Sequence, residues 1–333
     1  MKAPLHLASF CATIAVLLAT SLHAQDPRIR PAATRSAGWH DRSPHRVAMA
    51  ALPGGQIQYL DWGGKGPPLV LLHGWNSNAH VFDDLAPKLS DRYRVIAISL
   101  PGFGQSDVPA PGYGLDEAAD AVTGVLDRLH VGPATFVGHS FGGWVMTRIA
   151  VRGPLRVSRL IFLDAAFDVN ASDSIVARRP IARPSLDYVR SQADVMSWLG
   201  RNFFGMWTPS LEAEYRGRSS EESARAALLR RIDQEARSGP DQWTSFRVPV
   251  LAICALATVS SEFPWLPPSD SAAYALAQRY VVEERRPFQH AECERFRRTV
   301  ASAVVLELEG HHYIFEQQQA AVLRAIRTFV PSR

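Results

Sequence analysis

The hexapeptide Gly138-His139-Ser140-Phe141-Gly142-Gly143 does most to limit what this chain can fold into. It follows a short apolar run, residues 135–137, and precedes a stretch of helical character, residues 144–151. A chain that passes from strand to helix through so few residues must turn sharply, and only small residues two positions either side of the turn's centre avoid collision. The central residue is thereby pushed outward, to the N-terminus of the helix. There the helix dipole and the free backbone N–H groups favour developing negative charge. Ser140 therefore reads as a nucleophile that attacks a carbonyl carbon.

The flanking sequence supplies the sheet that such a turn needs. Short apolar runs at residues 57–61, 68–72, 95–100, 135–137, 160–163, 250–254 and 304–308 alternate with helical stretches, the pattern of a mostly parallel α/β sheet. Between 163 and 250 lies far more chain than a crossover requires. Its helical stretches at 184–198, 211–215 and 219–237, interspersed with Phe203, Phe204 and Trp207, predict a helical cap inserted after the sixth strand. A second long connection, residues 260–303, is broken early by Pro264, Pro267 and Pro268 and turns helical from Asp270. Its charge-rich part, residues 283–298, reads as a solvated helix face.

The expected organisation is a signal peptide at 1–24, a flexible leader at 25–46, a core in two parts at 47–169 and 247–333, and the cap at 170–246. Lys2 followed by the apolar run 7–19 has the form of an export signal, too short to span a bilayer, so the protein is expected in the periplasm or secreted, without stable membrane insertion after processing. With 333 residues, 47% hydrophobic and 20% charged, the chain is an ordinary globular one, and a net charge of +4 without charge blocks predicts no nucleic-acid partner. Beyond the leader only Cys254 and Cys293 remain, enough for one bridge at most. No Walker, dinucleotide, His-x-x-x-His or Cys-x-x-Cys pattern occurs, so neither cofactor nor metal is expected.

A second segment supports the first. Residues Leu69-Val70-Leu71-Leu72-His73-Gly74-Trp75-Asn76 read as a buried strand ending in a turn, which can aim the Trp75 N–H at the space the Phe141 N–H also faces. Two such donors form an oxyanion hole. Together with Leu100-Pro101-Gly102-Phe103-Gly104-Gln105-Ser106-Asp107, these segments resemble the α/β-hydrolase superfamily, in particular its capped esterases, lipases and carbon–carbon hydrolases.

That resemblance implies a triad in the order serine, acid, histidine. For the base it leaves two adjacent candidates after the last strand, His311 and His312, and the register of the terminal helix together with Tyr313 favours His312. After the strand at 250–254 the family usually carries an aspartate, but this chain has Ala255-Leu256-Ala257-Thr258. Some capped relatives place the acid after the preceding strand instead. That implies Asp164, with Glu262 and Asp168 in reserve. His73 is expected to prop the oxyanion turn and His139 to lie buried under the elbow. The implied chemistry is cleavage of an ester or related acyl bond in a small, apolar acyl substrate. A carbon–carbon hydrolase using the same serine, and a non-catalytic small-ligand carrier, are the alternatives.

Overall fold

The computed structural model describes residues 44–75, 77–109, 112–182, 222–238 and 242–332. The proposed signal peptide, nearly all of the leader, the helical stretches at 184–198 and 211–215, and Phe203, Phe204 and Trp207 lie outside the described residues.

Eight strands form one sheet in the order β1-β2-β4-β3-β5-β6-β7-β8. They are β1 Arg46–Leu52, β2 Gly55–Gly63, β3 Pro68–Leu72, β4 Arg94–Ile98, β5 Ala134–His139, β6 Val157–Leu163, β7 Val250–Leu256 and β8 Ala303–Glu309. From β4 to β8 all pairings are parallel, whereas β2 runs antiparallel to both β1 and β4. The seven runs read from the sequence all become strands. β1 has no counterpart among them, and the reason is physical: Ala50 is its one buried residue, so an edge strand of mostly exposed side chains shows no apolar alternation.

Alternation within the buried strands builds two packed layers. In β3, Val70 and Leu72 face one cluster while Leu69 and Leu71 face the other, as a period of two demands. The first cluster packs under α1 (Leu115–Arg128) and α2 (Phe141–Arg152). The second is closed by the 3-10 turn Ala79–Phe82 and the C-terminal helix, whose Val322 and Ile326 are fully buried. Both faces of the sheet are therefore covered, and near-continuous apolar runs are what such strands require.

After β6 come α3 (Val169–Val176) and, later in the insertion, α4 (Glu222–Ser238), which carries the third helix expected in the cap. α4 docks on the core. Leu228 and Ile232 join the first cluster, and Glu235 Oε2 accepts the Leu115 N–H at 2.8 Å. Between β7 and β8, α5 (Ser271–Tyr280) is capped by Asp270, which accepts the Ala273 N–H at 3.1 Å. It continues through a wide turn at Val281–Arg285 into α6 (Arg286–Thr299). The charged stretch is not solvated all round, because Glu292, Cys293 and Phe296 point inward. Cys254 and Cys293 are both buried and unbridged. A hydrogen bond with the Cys293 thiol, followed by burial, pushes the Cys254 thiol well up, so Cys254 is an inert hydrophobe here. No helix among the described residues is long and apolar enough to cross a membrane.

Candidate active site

Ser140 lies between β5 and α2 with φ 49° and ψ −117°, a conformation rarely adopted by a side-chain-bearing residue. The elbow is held by the Ser140 N–H, donated to the Leu163 carbonyl at 3.2 Å, and by the Gly143 N–H, donated back to the Ser140 carbonyl at 2.8 Å. The glycines two positions either side leave no room for a side chain. A Cβ on Gly142 would sit 2.3 Å from the Leu72 carbonyl oxygen, and one on Gly138 would sit 2.6 Å from Gly142. The Ser140 side chain makes no capping bond to its own helix, so the Phe141 N–H at the helix start is left for an incoming anion.

Opposite the elbow, the turn after β3 is propped by His73. This fully buried imidazole accepts the Leu100 N–H on Nε2 at 2.9 Å, which fixes its proton on Nδ1, where it is donated to the Gly74 carbonyl at 2.7 Å. Trp75 is buried on this turn, and its ring meets Phe141 edge-on at 5.1 Å, with Phe103 6.1 Å from Phe141. The 100–107 loop is anchored from below by a polar knot. Ser99 Oγ donates to Gln58 Oε1 at 2.6 Å, and Ser106 Oγ donates to the Ser99 carbonyl while accepting the Gln58 N–H.

Asp164 stands directly after β6, in the left-handed region with φ 45°. Its N–H donates to Ile253 at 2.7 Å, and its carboxylate accepts twice: from the Ala255 N–H on Oδ1 at 2.9 Å and from His312 Nδ1 on Oδ2 at 2.6 Å. A carboxylate only accepts, so His312 carries a proton on Nδ1, and its neutral form has Nε2 as the basic nitrogen. The structure thus pairs His312 with Asp164 across 148 residues of sequence.

His139, one residue before Ser140, ties this pair to the elbow. Its Nε2 donates to the His312 carbonyl at 3.1 Å, and the two rings lie 4.6 Å apart. Burial, with His312 adding to it, holds the His139 imidazole well below the usual histidine range, so it is neutral. His311 turns elsewhere, its N–H donated to Gln317 and its Nδ1 accepting the Tyr313 N–H.

Neither reserve acid reaches the histidine. Glu262 is buried against two guanidinium groups, accepting Arg179 Nε at 2.7 Å with Arg285 at 3.5 Å. Asp168 caps α3, accepting the Ala171 N–H at 3.0 Å. Two residues that the sequence did not single out support the pair: Ala255 as a donor to Asp164, and Gln317 as the residue that holds His311 away. The first was readable in principle, since strand neighbours β6 and β7 bring their carboxyl ends together.

An elbow serine at the carboxyl edge of a mostly parallel sheet is the arrangement of the α/β hydrolases. The chain belongs to the alpha/beta hydrolase fold family, whose pattern it matches over residues 67–257. It is 38% identical over 147 residues to the magnesium-chelatase 30 kDa subunit of Rhodobacter capsulatus, a match spanning 43% of this chain and 48%, about half, of that subunit. It is 31% identical over 190 residues to the 2-hydroxymuconate semialdehyde hydrolase of Pseudomonas sp. strain CF600, spanning 50% of this chain and 67% of that enzyme. The crystal structure of E-2-(acetamidomethylene)succinate hydrolase superposes with a TM-score of 0.60 over 86% of this chain and 98% of that one. At 22% identity that likeness is one of fold.

Proposed function

We propose that this hydrolase cleaves a carboxylic ester, or a related acyl bond, through a covalent acyl-enzyme on Ser140. The observation that carries this reading is the 2.6 Å hydrogen bond from His312 to Asp164, which leaves the Nε2 of His312 bare, with His139 linking it to the elbow. In the first step His312 takes the Ser140 proton as the oxygen attacks the carbonyl carbon. The N–H groups of Trp75 and Phe141 receive the oxyanion. His312 then returns the proton to the leaving alcohol, and water, activated by the same imidazole, releases the acid.

One relative favours a second reading. A 2-hydroxymuconate semialdehyde contains no ester, so its hydrolysis must break a carbon–carbon bond, and the same serine could serve. Fluorophosphonate labelling followed by a panel of p-nitrophenyl esters and of vinylogous diketones separates the possibilities. Labelling at Ser140 with ester turnover supports the proposal, and labelling with turnover of diketones alone replaces it with the second. A serine inert to the probe refutes both and leaves a ligand carrier.

We further propose that the 1–24 segment exports the protein. Intact mass of the protein recovered from the periplasm or medium tests this, and an uncleaved chain confined to the cytosol refutes it.

A further inference from the structure

Away from the elbow, on the sheet face that carries the 3-10 turns, two histidines and an aspartate converge. His45 stands one residue before β1, where β1 pairs with β2 through Arg46 and Asp61. Its ring lies 4.9 Å from that of Trp62, near the end of β2, and 5.4 Å from that of His80. His80 and Asp83 come from the 3-10 turn Ala79–Phe82 and its C-cap, and the Asp83 N–H donates to the His80 carbonyl at 3.2 Å. His80 is buried, and its Nδ1 lies 2.9 Å from Asp83 Oδ2. One donor atom from each of the three residues lies within 4.8 Å of the other two.

We propose that His45, His80 and Asp83 form a binding site for a divalent first-row transition ion, zinc being the ion this donor set favours. Ligands placed about 2.0–2.2 Å from a tetrahedral zinc ion lie about 3.3–3.6 Å apart, so closing the observed spread requires shifts of about 1 Å at most. Two imidazoles and one carboxylate are borderline donors, which suit zinc and not calcium or magnesium. The two inner ligands sit on one backbone turn and need little reorganisation, while the third arrives from the strand edge. Three protein ligands leave a fourth position for water.

The consequence is structural: an ion here would staple the start of β1 to the turn that follows the oxyanion segment, closing a long loop between the two. No short-range spacing in the sequence marks it, because the ligands come from segments 35 residues apart.

The test uses the full chain, purified without a polyhistidine tag and stripped by chelator, titrated calorimetrically with zinc chloride alone. Cobalt chloride is added in parallel and followed by visible absorption. One zinc ion per chain is expected, with a rise in Tm and a tetrahedral cobalt spectrum. His45→Ala and Asp83→Asn should each weaken zinc binding by about 100-fold or more, since loss of even an outer-shell partner costs about 10–100-fold. His290→Ala, which removes an exposed histidine paired with Glu307, should leave zinc binding unchanged. Both ligand variants keep His80 in place, and circular dichroism reports that they fold. Substoichiometric binding, or binding of undiminished affinity in the folded His45→Ala and Asp83→Asn proteins, overturns the site.

Discussion

Asp164→Asn tests the whole electrostatic reading of the site, because the two hydrogen bonds of the carboxylate make different demands on an amide. The Ala255 N–H is a backbone donor that cannot be reversed, and it lies 2.9 Å from Oδ1. An asparagine must turn its carbonyl oxygen toward it and its NH2 toward His312. The imidazole nitrogen 2.6 Å away must then accept, which moves its proton to Nε2, the atom required bare as the base. The same exchange in a serine protease triad lowers kcat by about 10⁴, or about 5.4 kcal/mol at 1.36 kcal/mol per decade, and we expect a loss of that order here. Folding should survive, because Asn tolerates the left-handed φ of 45° as well as Asp does. The assay is the rate of fluorophosphonate labelling at Ser140, with ester turnover beside it and Tm as the control. Labelling at the unsubstituted rate in a protein of unchanged Tm would refute the assignment of Asp164 and the tautomer argument together.

Four other substitutions separate chemistry from architecture. Glu262→Gln leaves two partly buried guanidinium groups without their carboxylate, which should cost about 3 kcal/mol in chemical denaturation while leaving kcat unchanged; a loss of turnover without a loss of stability would return Glu262 to the triad. His312→Ala should lower ester turnover by about 10⁴ or more and His311→Ala by less than about tenfold, and the reverse order in steady-state kinetics would exchange their roles. The folded state holds His139 neutral well below the unfolded value of 6.5, so below that pH the unfolded chain binds a proton the folded one does not. Stability should therefore fall as pH drops from about 6.5 toward the folded pKa, with a limiting slope of about 1.4 kcal/mol per pH unit. His139→Asn should flatten that slope in urea titrations at successive pH values, and an unchanged slope would assign it to other groups.

Several elements were legible because local chemistry and tertiary demand coincide there. The elbow announces itself because no larger residue than Gly fits at 138 and 142, and the buried strands because both faces of the sheet are covered. β1 was illegible for the opposite reason: an edge strand held by its hydrogen bonds to β2 needs little apolar surface of its own. The choice between His311 and His312 depends on which imidazole reaches Asp164. It is the His312 imidazole that meets Asp164, while Gln317 accepts the His311 N–H.

The sheet offers the acid of such a triad more than one place. β6 and β7 are parallel neighbours, so their carboxyl ends lie about 4.8 Å apart at the same level. A carboxylate after either strand can therefore meet an imidazole delivered by the loop after β8. Moving it from β7 to β6 changes the backbone more than the chemistry. Asp164 must adopt a positive φ to lift its side chain across, and the Ala255 N–H, at the site the usual acid would have vacated, becomes its second donor. That donor comes free because Asp164 stands just past the end of the β6–β7 ladder, where its own N–H still donates to Ile253. The strained φ and the freed N–H are thus two parts of one rearrangement. A relative with its acid after β7 has no reason to keep a positive φ at the position of Asp164, so the two features should occur together or not at all.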